Sequence, residues 1–149
     1  MQAEVILMAG LPGSGKTSYL SRMGNQGWTT FDDFKIGTRD LKFRTSPRFQ
    51  TLIDSLRNGK RCLIADIDFC DARSRVEAEH DLRAEIPDLK FRWIFFENNP
   101  AACKANIRSR IDRPEQTREW ELRYVDEKSP AFTIPPDAEV RPVWRQHAN

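Results

Sequence analysis

Residues 10–17, GLPGSGKT, have the types and the spacing of a loop that binds phosphate groups. Glycines let the backbone turn tightly, so that successive N–H groups can converge on phosphate oxygens. The positive end of a following helix would add to this attraction. Lys16 could then contact the β- and γ-phosphates as a catalytic group, and the Thr17 hydroxyl could bind Mg²⁺. The residues predicted to hold the nucleotide are Gly10, Gly13, Ser14, Gly15, Lys16 and Thr17.

The segments on either side of this loop support the same interpretation. A continuous apolar run, residues 5–9, precedes the loop, and a helix is predicted from Lys16 to about Met23. A run without alternation is typical of a strand that is covered on both faces, as in a parallel sheet. Strand, loop and helix in this order are the context in which the motif binds a nucleoside triphosphate. We therefore expect ATP and Mg²⁺ as cofactors.

Carboxylates follow two further predicted strands. Asp66 comes after a buried apolar run, and an acid in this position can help to hold Mg²⁺, with Asp68 as the alternative. Asp32 and Asp33 follow a short strand, and ligands of open α/β sheets bind beyond the carboxyl ends of strands. Asp32 could accept the proton of an attacking hydroxyl or cap a helix, and both roles stay open. For Asp33 the cap is the better explanation.

A basic segment follows the second strand. Its charged residues are Lys35, Arg39, Lys42, Arg44 and Arg48 against the single acid Asp40, a local net charge of +4. Beside a triphosphate site, such a segment could hold an acceptor that carries phosphate. It could equally be a solvated surface, which is the usual explanation of a charge run.

Three arginines follow the fourth strand, at the start of a lid-like segment over residues 108–126. Arg108, Arg110 and Arg113 could approach the transferring phosphoryl group when such a lid closes. A guanidinium there would stabilise the charge that develops in the transition state. Acids alternate with arginines in the following helix, including the pair Glu119/Arg123, so most of that stretch could also be a charged surface helix. Either Arg108 or Arg110 is expected to be catalytic.

The whole chain alternates between predicted strands and helices. Helix starts are indicated at Ser46-Pro47, Asp71, Pro100 and Pro114. A last strand over residues 140–143 contains a proline, which favours an edge position. This alternation predicts one α/β domain, residues 1–149, built on a parallel sheet.

Composition excludes several classes of protein. The chain has 149 residues and 17.3 kDa, is 39% hydrophobic and 31% charged, and carries a net charge of +2. No apolar run reaches the roughly 18 residues that a membrane span needs, and the amino terminus lacks the features of a secretory leader. Three cysteines without a C-x-x-C pair predict free buried thiols in a reducing compartment. We expect a cytoplasmic protein without a membrane partner, and the charge by itself does not indicate nucleic acid.

Histidines and tryptophans carry less information. His80 and His147 have no partner at ligand spacing and are expected at the surface. The four tryptophans are expected to pack rather than to stack on a base, since no basic–aromatic alternation accompanies them. They are Trp28, Trp93, Trp120 and Trp144.

Four segments together resemble the small P-loop kinases, and most closely the branch of 5′-hydroxyl polynucleotide kinases and zeta toxins. They are GLPGSGKT at 10–17, TFDDFK at 30–35, the strand into Asp66, and NP at 99–100 with KANIR at 104–108. The resemblance implies a five-stranded parallel sheet in the order 2-3-1-4-5. It also implies Asp32 as the general base and Lys35 as a substrate-binding residue. Arg108 or Arg110 would contact the phosphates.

The leading hypothesis is therefore a kinase that moves the γ-phosphate of ATP to a hydroxyl group. The acceptor could be a nucleoside, a nucleotide or a nucleic-acid 5′ end. One alternative is a regulatory ATPase or switch that acts through a protein partner. Another is a domain that binds nucleotide without catalysis.

Overall fold

The computed structural model describes residues 3–35 and 42–144, so Arg39, Asp40 and His147 lie outside the described residues. Within these ranges the strands are β1 (Glu4–Ala9), β2 (Thr29–Phe31), β3 (Cys62–Ala65), β4 (Lys90–Phe96) and β5 (Glu139–Arg141). The α-helices are α1 (Lys16–Gly24), α2 (Phe49–Arg57), α3 (Ala72–Glu85), α4 (Pro100–Arg108) and α5 (Glu115–Lys128). Short 3-10 helices cover Phe43–Thr45, Ile67–Cys70 and Ser129–Ala131.

The five strands form one parallel sheet in the order β2-β3-β1-β4-β5. Strand β1 lies at the centre, with Leu7 opposite Ile64 of β3 on one side and opposite Trp93 of β4 on the other. Strand β5 is at the edge, where Pro142 directly after it interrupts no inner ladder. The predicted α/β class, strand order and edge position are confirmed.

Strand β1 is buried on both faces, which explains its unbroken apolar sequence. Ile6 and Met8 pack on the face that α1 covers with Tyr19 and Leu20. Val5, Leu7 and Ala9 point to the other face, where they pack in the larger core with residues of α2, α3, α4 and α5. The loop that follows β1 therefore starts from a fixed point at the middle of the carboxyl edge of the sheet.

Helix α2 begins later than the sequence predicts. Ser46-Pro47 resembles a helix start, but α2 starts at Phe49. The Ser46 hydroxyl donates to the carbonyl oxygen of Phe34 at 3.0 Å, and its oxygen accepts from the Arg48 N–H at 3.3 Å. The Phe49 N–H donates to the Ser46 carbonyl oxygen at 3.0 Å, so a turn through Pro47 and Arg48 precedes the helix.

Helix α3 is not the purely solvated helix that its charged sequence suggests. Arg75 and Asp81 are both buried on its inner face. Arg75 donates to the carbonyl oxygens of Phe69 and Cys70 at 2.8 and 3.2 Å, and Asp81 accepts from the Arg44 N–H at 3.2 Å. Buried charges are tolerated when they are hydrogen-bonded in this way.

The α-helices contain 9 or 14 residues, and most of their surface is polar. In the part of the chain that the structure describes, none of them has the length and apolar character needed to cross a bilayer. The three cysteines are free and buried, as predicted. Burial raises the pKa of each thiol to about 11.

Candidate functional site

A cleft of about 750 Å³ opens at the carboxyl edge of the sheet. Most of its lining comes from three separate parts of the chain: the loop after β1 with the start of α1, the two residues after β2, and the segment from the end of α4 into α5. From the last segment the cleft receives Arg110, Arg113, Gln116, Thr117, Trp120 and Glu121. Ile67, after β3, also lines it. The spatial meeting of these three segments is what makes the cleft a candidate active site.

The loop after β1 has a backbone that requires glycine. Gly13 and Gly15 have φ angles of +82° and +107°, which side-chain-bearing residues rarely adopt. A Cβ at Gly13 would lie 2.4 Å from the carbonyl oxygen of Cys103, and one at Gly15 would lie 2.7 Å from the Cβ of Trp144. Close packing against α4 and against the chain after β5 therefore holds the loop in its shape.

Asn106 of α4 fixes the same loop through hydrogen bonds. Its side-chain amide donates to the carbonyl oxygen of Gly13 at 2.9 Å and also to that of Trp144. The Trp144 N–H in turn donates to the Ser14 carbonyl oxygen at 3.0 Å. Hydrogen bonds therefore connect the phosphate loop, α4 and the chain after β5 to one another.

Two side chains of the loop suit an anion. Lys16 is buried, and its ammonium group donates to the carbonyl oxygen of Gly10 and, at 3.3 Å, to that of Leu11. The Ser14 hydroxyl is buried and has no hydrogen-bond partner among the described residues. A buried hydroxyl without a partner is costly, and a phosphate oxygen bound here would accept a hydrogen bond from Ser14. These residues fit a bound nucleotide.

Thr17 and Asp32 meet across the cleft floor. The Thr17 hydroxyl donates to Asp32 Oδ2 at 3.0 Å, and Asp32 Oδ1 accepts from the Asp33 N–H at 2.9 Å. Arg48 donates to the carbonyl oxygen of Asp32. Asp33 also lines the cleft and has a left-handed φ of +45°, which aspartate tolerates better than most residues. A hydroxyl oxygen is a ligand that Mg²⁺ binds, so Thr17 fits the predicted metal, with Asp32 orienting its hydroxyl group.

Asp66 has a different environment. It is 0% exposed, and its carboxylate accepts from the Lys35 N–H at 2.7 Å and from the Asp68 N–H at 2.8 Å. Asp66 and Lys35 are not among the described residues that line the cleft. The ammonium group of Lys35 lies 3.4 Å from the Asp68 carboxylate, which Lys128 approaches to 3.6 Å from the end of α5.

The candidate arginines separate into two environments. Arg108 is exposed at the end of α4, outside the cleft lining, whereas Arg110 and Arg113 line the cleft. Both of the latter contact the buried carboxylate of Glu121. Burial, followed by the neighbouring charge of Arg113, lowers the pKa of Arg110, yet an arginine remains charged at any physiological pH.

Sequence reasoning missed two residues of the cleft. Trp120 and Trp144 are 45% and 52% exposed, and the expectation that they pack rather than stack on a base stays a prediction. Trp120 lines the cleft and its ring lies 4.3 Å from that of Tyr124. Glu121 was not predicted, because α5 contains several other charged residues from which its sequence does not distinguish it. Its spacing of four residues from the apolar Val125 is the one signal that places it on the inner face.

Comparisons with known proteins agree with this architecture. No protein-family model matches the chain. Among curated proteins, the uncharacterized protein R277 of Acanthamoeba polyphaga mimivirus is 28% identical over 152 residues, which are 97% of this chain and 100% of that protein. The match spans the full relative but assigns no activity.

The solved structures that resemble the chain include kinases. A fungal RNA kinase superposes with a TM-score of 0.66 at 12% identity, over 100% of this chain and 77% of that one. A gluconokinase from Sinorhizobium meliloti 1021 gives a TM-score of 0.62 at 12% identity, over 96% and 83%. The chain therefore has the fold of the small P-loop kinases. The predicted resemblance to that class is confirmed at the level of the fold.

Proposed function

We propose that this protein is a kinase that transfers the γ-phosphate of ATP to a hydroxyl group of an acceptor. The observation that carries the proposal is that the phosphate loop, the Thr17–Asp32 pair and two arginines of the predicted lid line the same cleft. A nucleotide-binding domain alone needs only the first of these parts. A phosphotransferase also needs a base and a cation at the reacting phosphate.

The loop would hold the nucleotide. Lys16, the Ser14 hydroxyl and the loop N–H groups would bind the phosphates, as in other loops of this type. Mg²⁺ would be held by the Thr17 hydroxyl, which Asp32 orients at 3.0 Å. The metal would neutralise charge on the phosphate oxygens. The metal role of Asp66 stays a prediction, because its carboxylate already accepts two backbone N–H groups.

Asp32 is our candidate for the general base. It lies on the cleft floor beside Thr17, and one carboxylate oxygen can accept a proton from an acceptor hydroxyl while the other keeps its bond to the Asp33 N–H. Arg110 and Arg113 would stabilise the charge on the transferring phosphoryl group from the opposite wall. Exposure of Arg108 favours Arg110 over it for this role.

One lining residue bears on the acceptor class. The indole of Trp120 lines the cleft and is 45% exposed, and aromatic faces suit a base or another flat group. A nucleoside, a nucleotide or an RNA end are therefore the first acceptors to try, in line with the fold shared with a fungal RNA kinase. Three buried free thiols fit the predicted cytoplasmic location.

Transfer of labelled phosphate from ATP to a panel of acceptors tests the proposal. Asp32→Asn should lower the transfer rate by about 100-fold or more, because it removes the proton acceptor. Asp137→Asn, which removes an exposed carboxylate outside the cleft, should leave the rate unchanged.

Two outcomes would contradict parts of this account. Full transfer by Asp32→Asn would exclude Asp32 as the base. Slow hydrolysis that no acceptor accelerates, together with nucleotide-dependent capture of a protein, would favour the regulatory ATPase or switch instead.

A further inference from the structure

Glu121 occupies a position on α5 where an apolar residue would be expected. The buried residues of α5 are Glu121 and Val125, one turn apart on the same face. Val125 packs into the main core with no exposure, whereas Glu121, 7% exposed, lines the cleft. A buried carboxylate is costly unless it is paired and hydrogen-bonded, so its partners indicate its purpose.

Those partners are the two cleft arginines. Arg113 Nη1 lies 2.9 and 3.1 Å from the two carboxylate oxygens of Glu121, and Arg110 Nη1 lies 3.4 Å from Oε2. Both arginines come from the turn after α4, where the Arg113 N–H donates to the Arg110 carbonyl oxygen at 3.1 Å. One carboxylate thus brings two like charges together beside the phosphate loop.

We propose that Glu121 is a positioning residue that holds Arg110 and Arg113 as a pair facing the terminal phosphate of the nucleotide. This inference rests on the proposed function for the identity of the ligand. Two guanidinium groups repel each other, and the shared carboxylate offsets that repulsion. The contacts with Glu121 use one terminal nitrogen of each arginine, and a guanidinium has five N–H donors, so donors remain for phosphate oxygens.

Arginines that are fixed before the ligand arrives lose less entropy on binding and need less reorganisation during transfer. The contribution of Glu121 should therefore appear at the terminal phosphate and not in overall nucleotide affinity. The opposite role, in which Glu121 keeps the arginines away from the phosphates, would produce the opposite sign. The sign of the effect thus separates the two roles.

The experiment measures the preference of the protein for a non-hydrolysable ATP analogue over ADP, by calorimetry with Mg²⁺ present. Glu121→Gln should lower this preference by about 10-fold, because displaced arginines contribute little to the terminal phosphate. Glu119→Gln, which removes an exposed carboxylate from the same helix, should keep the wild-type ratio. Should Glu121→Gln unfold the protein, Glu121→Asp keeps the charge but shortens the side chain, and it should lower the ratio by a smaller factor.

A double-mutant cycle distinguishes positioning from general support of the lid. In an Arg110→Ala/Arg113→Ala background, Glu121→Gln should change the ratio no further, since it acts through the two arginines. A further loss in that background, or an unchanged or increased ratio in the single variant, would overturn the inference.

The kinase proposal and this inference fail in different ways. Suppose that the binding ratios are as expected but the wild-type protein transfers phosphate to no acceptor. The kinase proposal would then be wrong, and the positioning role of Glu121 would stand. If phosphate transfer is normal and Glu121→Gln keeps the wild-type preference for the ATP analogue over ADP, only the proposed role of Glu121 would be wrong.

Discussion

Two aspartates at the carboxyl edge of the sheet have different neighbours and therefore different roles. Asp32 accepts a hydrogen bond from the Thr17 hydroxyl and lines the cleft. Asp66 is buried under the chain after β2, and its oxygens accept the N–H groups of Lys35 and Asp68. In the proposed function the first arrangement serves the reaction, whereas the bonds of Asp66 hold the chain that carries Lys35.

Removal of the Asp66 charge should therefore affect stability. Asp66→Asn keeps one oxygen acceptor but turns an NH₂ group toward a backbone N–H, so one buried donor loses its partner. We expect the free energy of unfolding to fall by about 1.5–3 kcal/mol, measured by urea denaturation. Asp137→Asn, at an exposed site, should change it by less than about 0.5 kcal/mol. Wild-type stability with a much weaker affinity for Mg²⁺–nucleotide would instead support the predicted metal role.

Residues next to one another in sequence were predictable, and residues that meet only in space were not. The phosphate loop carries its spacing within eight residues, so its role follows from GLPGSGKT itself. The acids Asp32 and Asp66 both follow strands, and only packing distinguishes the half-buried Asp32 from the fully buried Asp66. Glu121 looks like any other acid of a charged helix until α5 folds against α4.

At the scale of elements, the unbroken apolar runs of β1, β3 and β4 predicted a parallel sheet covered on both faces. Hydropathy does not order strands, and the order 2-3-1-4-5 came from the family resemblance. The start of α2 was misplaced, because Pro47 and Arg48 form a turn before the helix begins at Phe49.

Close packing of α4 against the phosphate loop predicts that Gly13 cannot be replaced. Gly13→Ala combines a left-handed φ of +82° with a Cβ 2.4 Å from a backbone oxygen, so the loop must move. We expect a loss of more than about 2 kcal/mol of unfolding free energy, together with loss of nucleotide binding.

Gly59 supplies the matched control for this prediction. Its φ is also positive, +78°, but nothing lies within 4 Å of its Cβ position. Gly59→Ala should cost only about 1–2 kcal/mol and leave nucleotide binding intact. Equal losses for the two variants, in denaturation and in calorimetry, would show that φ alone matters and that α4 does not confine the loop.

At the scale of the whole molecule, the cleft exists only because three distant segments meet at one edge of the sheet. The phosphate loop follows the central strand β1, and Asp32 follows β2, which is separated from β1 by β3. The segment from the end of α4 into α5 contributes the two arginines. Asn106 links α4 to both the loop and Trp144, so the walls are joined to each other as well as to the core. In this fold the predicted phosphate loop, the candidate base and the two arginines therefore line one cleft.

Calorimetry with ATP and Mg²⁺ measures whether the phosphate loop binds a nucleoside triphosphate, on which the other proposals depend. We expect saturable binding by the wild type and by Lys60→Ala, whose side chain is exposed just before β3. Lys16→Ala should bind at least about 10-fold more weakly, because it loses a charge-assisted contact with the phosphates. No heat of binding from any purine triphosphate, or equal affinity of Lys16→Ala and the wild type, would contradict the account.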